Sequence, residues 1–494
     1  SMELLEWSLG LRNRASGKYL TQETFGFALN VTASTLKKKQ TFFLLPAQEG
    51  GVFIKSNLGR YLYAQADGKW LGDADQPTAD AVWSIEPQPS GTWALKSRHG
   101  HYANVQGETL SAFTKELPKD HSGEWVVHLA MHPQVNLYNV MRKRYVSLQN
   151  DALCAVEDIP WGDDALLNFI FFDQHADGRY GLQASSGQYL TASGKLIANT
   201  PNPPKECFFL LGFHDNAISL RDEQGNYLSC VGANGVLKTS KNKITKDELF
   251  QLSDSEPQFV IVDSKGKQVS IRSSVEIKAD QATVEDTERF QLEVDPAGSG
   301  KIAFKSNNKQ YWSVTGDGTV SAVAPAKNAT EYFTVQWNGT RVKFVGSNGK
   351  YITVKPNGGL IANGNGSDAT SLFTLTLINR PELILRGQFG FVGRKGKSPR
   401  VEVNKSSGTS FTLKSVDGGY TLSFIDEDNK EVFWNVDRDG VCLTAQPAIF
   451  FFEFVERSKF LIKHSDSGKY LEGEQAGGFR PTGSGSNINT LWEY

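Results

Sequence analysis

The sequence is poor in sulfur, with four cysteines (Cys154, Cys207, Cys230 and Cys442) and three methionines in 494 residues. So few cysteines cannot frame a disulfide-stapled fold. None lies in a CxxC or other metal-like spacing, so reduced thiols in a cytosolic protein are expected. Net charge is nearly absent, since 52 basic and 54 acidic residues leave −2. That balance excludes a uniformly basic nucleic-acid binder and an acidic tail, and any electrostatic partner has to be met by local patches. No apolar run reaches 18 residues, so no membrane span is expected. Ser1-Met2-Glu3-Leu4 shows no basic and then apolar leader, so no secretory signal is expected either. Five Asn-x-Ser/Thr sequons, at Asn30, Asn328, Asn338, Asn365 and Asn404, are then expected to stay unmodified.

Glycine and aromatics are plentiful, with 47 Gly, 30 Phe and 15 Tyr. Many turns and many aromatics point to an all-β chain. At about 100–200 residues per domain the length allows roughly three to five domains. No stretch of twelve or more residues holds a 3.6-residue apolar period.

An internal repeat organises the chain. A phrase of turn residue, basic or polar residue, aromatic and aliphatic recurs, as in Gly17-Lys18-Tyr19-Leu20, Gly59-Arg60-Tyr61-Leu62, Gly187-Gln188-Tyr189-Leu190 and Gly468-Lys469-Tyr470-Leu471. One degenerate copy is Gly266-Lys267-Gln268-Val269. From Tyr19 to Tyr470 there are eleven steps over 451 residues, 41 per step. A second aromatic series runs half a period out of phase, from Phe43, Trp83 and Trp125 to Phe411, Phe452 and Trp492. Both series give twelve units.

Each unit reads as strand, turn, strand, with Val342–Val354 as the clearest hairpin. Single helical turns are expected just before the out-of-phase aromatics, as at Val284–Glu288 and Thr245–Glu248. The period also suits a propeller blade, but each unit is read as holding too few strands for four and no Trp-Asp signature recurs. Closed barrels of three units remove exposed edges and fit the usual domain size. Pro133, Pro257 and Pro381, spaced 124 residues apart, support grouping in threes. The expectation is four tandem β-trefoils, 1–132, 133–256, 257–378 and 379–494, packed as one rigid two-lobed body.

Catalytic constellations are missing. There is no Gly-x-Ser-x-Gly elbow, and Gly298-Ser-Gly-Lys301 lacks the first glycine and the Ser/Thr of a phosphate loop. His99, His101, His121, His128 and His132 cluster in sequence but have no metal-ligand spacing. No enzyme, cofactor or metal is expected. Four basic clusters interrupt the neutral chain: Lys37-Lys38-Lys39, Arg142-Lys143-Arg144, the Lys238/Lys241/Lys243/Lys246 run, and the Arg394/Lys395/Lys397/Arg400 run. Their spread over different lobes suits a binder that meets an acidic partner on several faces.

Several phrases resemble fascin, the actin-filament bundling family. They are Phe25-Gly-Phe27 with Ser34-Thr-Leu-Lys-Lys-Lys-Gln40, and Met131-His-Pro-Gln-Val-Asn-Leu-Tyr138 with Arg142-Lys-Arg-Tyr145. Lys246-Asp-Glu-Leu-Phe250, Leu377-Ile-Asn-Arg-Pro381, Phe451-Phe-Glu-Phe454 and Leu491-Trp-Glu-Tyr494 match as well, so the resemblance spans the chain. It implies a monomer that bundles F-actin in parallel in the cytoplasm, in filopodia and similar protrusions. It implies a first actin site around a cleft between lobes one and four, with Lys18, Thr35, Lys37, Lys38, Lys39, Arg386, Phe389 and Lys395 at the matching positions. Further surfaces map to Arg142, Lys143, Arg144 and Lys355. Phe389 stands where the family carries a His, Gln388 where it carries a Glu, and Glu472 where a Lys is common. Thr35 matches the family's inhibitory protein kinase C site. The competing reading is a tandem β-trefoil carbohydrate binder, which repeated Gln-x-Trp motifs would support; they are missing.

Overall fold

The computed structural model describes residues 7–494; Ser1–Glu6, on which the missing leader was read, lie outside the described residues. Its strands are arranged in closed six-stranded barrels. In the first, Trp7–Asn13 pairs with Phe42–Pro46, which pairs with Val52–Ser56, followed by Val82–Pro87, Trp93–Ser97 and Glu124–Leu129. Glu124–Leu129 then pairs antiparallel with Trp7–Asn13 and closes the ring. Three hairpins cap one end: Tyr19–Gln22 with Leu29–Ala33, Tyr61–Ala64 with Trp70–Ala74, and Tyr102–Gln106 with Thr109–Thr114. This is a β-trefoil, and it leaves the barrel without a free edge.

The pattern recurs three times. The second ring begins at Gln134–Asn139 and closes on Phe250–Asp254. The third begins at Gln258–Val262 and closes on Thr374–Leu377. In the fourth, the opening strand is split: Glu382–Leu383 pairs with Phe411–Val416, and Arg386–Gly387 pairs with Leu491–Glu493. Two compact units result. One comprises the chain up to Asp158 with Leu167–Ser253; the other comprises Ile159–Leu166 with Asp254–Tyr494.

Both aromatic series contribute to the trefoil cores, with adjustments. In all twelve phrase copies, from Leu20 to Leu471, the residue after the aromatic, or after Gln268 in the degenerate copy, is fully buried. The tyrosines themselves are mostly half-buried, so the aliphatic position is the core position. Several tyrosine hydroxyls donate to a carboxylate on the preceding strand pair: Tyr102 to Glu86 (2.6 Å), Tyr311 to Glu293 (3.0 Å) and Tyr470 to Glu453 (2.8 Å). In the out-of-phase series, Phe42 and Phe450 are fully buried, and Phe43 is half-buried. The core register there is shifted by one residue from Phe43, because strand residues alternate between faces, whereas Phe452 keeps its place in the core beside Phe450. Trp83, Trp125 and Trp492 donate their indole N–H to the carbonyls of Leu62, Ala103 and Leu471. Those acceptors are the aliphatic positions of the first series, so the two series meet inside the barrel.

Each unit contributes four strands, two to the barrel and two to a cap. The reading of too few strands was wrong; barrel closure, not strand number, separates this fold from a propeller. The Val342–Val354 hairpin is also corrected. Arg341–Val345 and Tyr351–Val354 share only the Val345/Tyr351 pair and then part, one staying in the barrel and one entering a cap. The expected single turns are present as 3-10 turns, among them Asp286–Glu288 and Lys246–Glu248. Each of these two ends on a fully buried glutamate, Glu288 or Glu248.

The three joint prolines have one environment. The carbonyls of Pro133, Pro257 and Pro381 accept the backbone N–H of Phe169 (2.8 Å), Leu292 (2.9 Å) and Leu413 (2.9 Å). Within the first unit, one apolar core runs through both trefoils. There the Tyr180 hydroxyl accepts from Leu129 N at 2.9 Å and donates to Val127 O at 2.6 Å. Arg12 donates to the carbonyls of Asp173 and His175. The second unit repeats the arrangement around its own continuous core. Tyr420 hydroxyl accepts from Leu377 N at 2.9 Å, and buried Arg380 donates to Ser255 O at 2.8 Å beneath the Tyr494 ring.

Candidate functional site

The basic clusters sit on corners and cap hairpins, where the barrel strands no longer dictate side-chain type. In the first trefoil, Lys18, Lys37, Lys38 and Lys39 come together at one cap. Gln40 explains how. Buried at the end of the Lys38–Gln40 turn, it accepts Lys37 N–H at 2.9 Å and donates to Thr21 Oγ1 at 3.2 Å. Thr41 Oγ1 donates to the Lys37 carbonyl at 2.9 Å. The turn is thereby pinned from below and presents Lys38 and Lys39 to solvent. Lys39 is ion-paired with Glu23 at 2.9 Å and holds that carboxyl below its usual range. Lys18 Nζ donates to Ser34 Oγ at 2.9 Å, beside half-buried Thr35.

In the second trefoil the fold joins two clusters that the sequence separates. Asn139, fully buried, accepts Arg142 N–H at 2.9 Å and donates to the Asp247 carbonyl at 2.9 Å. Asp247 is also approached by Lys241 Nζ at 3.8 Å. The Arg142–Arg144 corner and the Lys241–Lys246 loop therefore form one basic surface. The sequence names the Lys238/Lys241/Lys243/Lys246 run as a basic cluster of its own, and the fold sets its later part beside Arg142–Arg144. Within this surface, Arg142 is spent on structure, donating to the carbonyls of Cys230 (3.1 Å) and Gly232 (2.6 Å). Arg144 pairs with Asp158 at 3.1 Å, and Lys143, at φ 56, is exposed.

In the second unit, the split opening strand of the fourth trefoil carries Arg386. Its guanidinium binds Glu493 at 2.8 Å and covers the Phe391 ring. Phe389 is half-buried against the unit's core. Lys395 is exposed on a turn closed by its own N–H to Arg400 O at 2.8 Å. In the third trefoil, Lys355 pairs with Glu276 at 3.2 Å. Gln388 is half-buried, and Glu472 accepts from Thr482 and Asn487.

Acidic groups gather beside the joint of this unit. Glu256 lies 3.6 Å from Arg457, and Glu293 accepts from Lys327 at 2.9 Å. Burial, with Glu293 and Asp254 nearby, pushes the Glu256 carboxyl up to about 7. The histidines do not converge. His99 meets Asp80, His121 meets Glu124, His128 meets Tyr19, and His132 accepts Gln134 N–H. All four cysteines are buried free thiols, and burial raises Cys207 to about 11 and Cys230 to about 12.

Comparison with known proteins finds similar chains. A family model described as "Fascin domain" matches residues 16–125, 135–252, 264–375 and 390–494. The chain is 37% identical to Fascin-2 of Homo sapiens over 501 residues, covering 100% of this chain and 99% of that protein. It is 36% identical to Fascin-2 of Mus musculus with the same coverage. Fascin of Strongylocentrotus purpuratus is 34% identical over 512 residues, covering 99% of each chain.

Proposed function

The chain belongs to the fascin family, and on that premise we propose that it binds F-actin and cross-links filaments into tight parallel bundles. The observation that carries the reading is the division of the basic residues. They form separate surfaces on different trefoils, each pinned by buried polar side chains such as Gln40 and Asn139. A bundler needs at least two filament-binding faces on one particle, and basic faces suit an acidic filament. Lys18, Lys37, Lys38 and Lys39 form one contact; Lys143 and Arg144, with Lys241, Lys243 and Lys246, form another. Arg386, Phe389, Lys395 and Lys355 belong to contacts of the second unit. Arg142 shapes its corner through the carbonyls it binds.

The trefoil boundaries at 132/133, 256/257 and 378/379 are part of this reading. So are a monomeric, non-enzymatic protein working in the cytoplasm and in filopodia-like protrusions, and inhibition by protein kinase C at Thr35. Low-speed sedimentation with actin filaments tests it. Filaments should pellet only when the protein is present. No pelleting at any ratio, together with binding to a glycan array, would replace this reading with the carbohydrate binder.

A further inference from the structure

Phe25 is 94% exposed, an unusual position for an aromatic side chain with no polar atom. Its loop is firmly held. Glu23 N–H donates to Ala28 O at 2.8 Å, and Gln22 Nε2 donates to Phe27 O at 3.2 Å. Gly26 (φ 65) and Phe27 (φ 54) are both left-handed, which is uncommon for a bulky residue. The Phe27 ring lies under the Arg60 guanidinium, 4.3 Å from its centroid. The loop thus secures one phenylalanine and leaves the other in solvent. Glu23, two residues before Phe25, holds Lys39 at 2.9 Å, so the exposed ring and the basic cluster share one cap.

The second basic surface of this unit repeats the combination. Met141, 55% exposed, directly precedes Arg142-Lys143-Arg144, and Ile244, 36% exposed, lies between Lys243 and Lys246. The Asn139–Asp247 hydrogen bond joins those two segments.

We propose that the two basic surfaces of the first unit are composite contacts. In each, an exposed apolar side chain, Phe25 in the first trefoil and Met141 with Ile244 in the second, seats against an apolar depression on the filament. The lysines around it supply the long-range attraction. This rests on the filament-binding reading. Exposed charges are screened beyond about 8 Å at physiological ionic strength, so they steer encounter more than they hold a complex. An apolar anchor ringed by polar residues is the arrangement that slows dissociation at interfaces. An anionic membrane also attracts basic and apolar side chains. Acidic residues are mixed into both surfaces here, Glu23 in one and Asp247 in the other, which favours a patterned protein partner over a uniformly negative bilayer.

The test is high-speed co-sedimentation of wild type, Phe25→Ser and Phe25→Leu with actin filaments at low and high KCl. Vesicles of phosphatidylserine and phosphatidylcholine are run in parallel. Phe25→Ser should bind filaments about tenfold more weakly and release them at a KCl concentration that wild type withstands. Phe25→Leu should stay within about threefold of wild type. Met141→Ser/Ile244→Ser should reduce bundling more than single-filament binding. Equal filament affinity of Phe25→Ser and wild type at both salt levels overturns the inference. So does a Phe25→Ser defect confined to vesicles. No filament binding by wild type would overturn the underlying reading, and this contact with it.

Discussion

Asn139 Nδ2 lies 2.9 Å from the carbonyl oxygen of Asp247, a residue 108 positions away, and that bond fastens two basic segments into one surface. Asn13 makes the corresponding bond in the first trefoil, donating to Ser122 O at 2.9 Å. Asn139→Ala removes both bonds of a fully buried amide and strands the Asp247 carbonyl. A loss of about 1–3 kcal/mol in urea denaturation is expected. Filament cross-linking should fall as well, measured as the fraction of actin in the low-speed pellet. Asn139→Ala with wild-type bundling would show that the two segments act independently.

Reversing Lys37, Lys38 and Lys39 to Glu should abolish bundling while changing folding stability by less than about 0.5 kcal/mol. The ion pair of Lys39 with Glu23 is between exposed groups and contributes little to folding. Sedimentation and a thermal melt on the same sample separate the two effects. A large drop in melting temperature would make these lysines structural.

Thr35→Glu should weaken filament binding in the direction phosphorylation would. A phosphate there adds about −1.5 to −2 charges beside three lysines. Co-sedimentation of Thr35→Glu and Thr35→Ala checks it: Ala should match wild type and Glu should not.

Glu256 gives the second unit a pH signature. Its folded value, about 7, lies above the ordinary 4.5, so the folded state prefers the neutral acid. Below about pH 4.5 both states are protonated and the carboxyl carries no penalty. As pH rises towards 7 the unfolded chain ionises first, and the penalty grows to roughly 3 kcal/mol above pH 7. Glu256→Gln should therefore stabilise the protein at pH 8 and have little effect at pH 4. Denaturant titrations at both values test this; an equal change at both would point to the lost Arg457 contact instead.

The thiols should react slowly. Burial raises Cys207 and Cys230 to about 11 and 12, so almost no thiolate exists at neutral pH. Ellman's reagent should label the cysteines rapidly only in denaturant. Fast labelling of a native cysteine would show that its strand opens.

The repeat was legible because core positions recur: Leu20, Leu62 and Ile352, each on a cap strand, are buried for the same reason, and a period of 41 residues exposes it. Phe42 against Phe43 was not legible, because neighbouring phenylalanines differ only in which face of the strand they occupy. The four strands per unit escaped notice because two of them are short caps that pair for only a few residues, as in Tyr189–Leu190 with Leu196–Ile197. At the candidate sites the charges could be read directly. What could not be read was which of them the fold consumes, as with Arg142 on two carbonyls. The union of residues 142–144 with 241–246 was also out of reach, since it depends on a hydrogen bond across a whole trefoil.

Closing each ring with its own first and last strands has an architectural result. Leu129 ends one barrel and Gln134 opens the next, and Leu377 and Glu382 stand in the same relation. The two ends of every trefoil emerge side by side, so a single trefoil could begin at another corner without cutting its core. A circular permutant of the first trefoil opened at the exposed cap turn of Gly107 is the natural starting point for building filament linkers of altered valency from this chain.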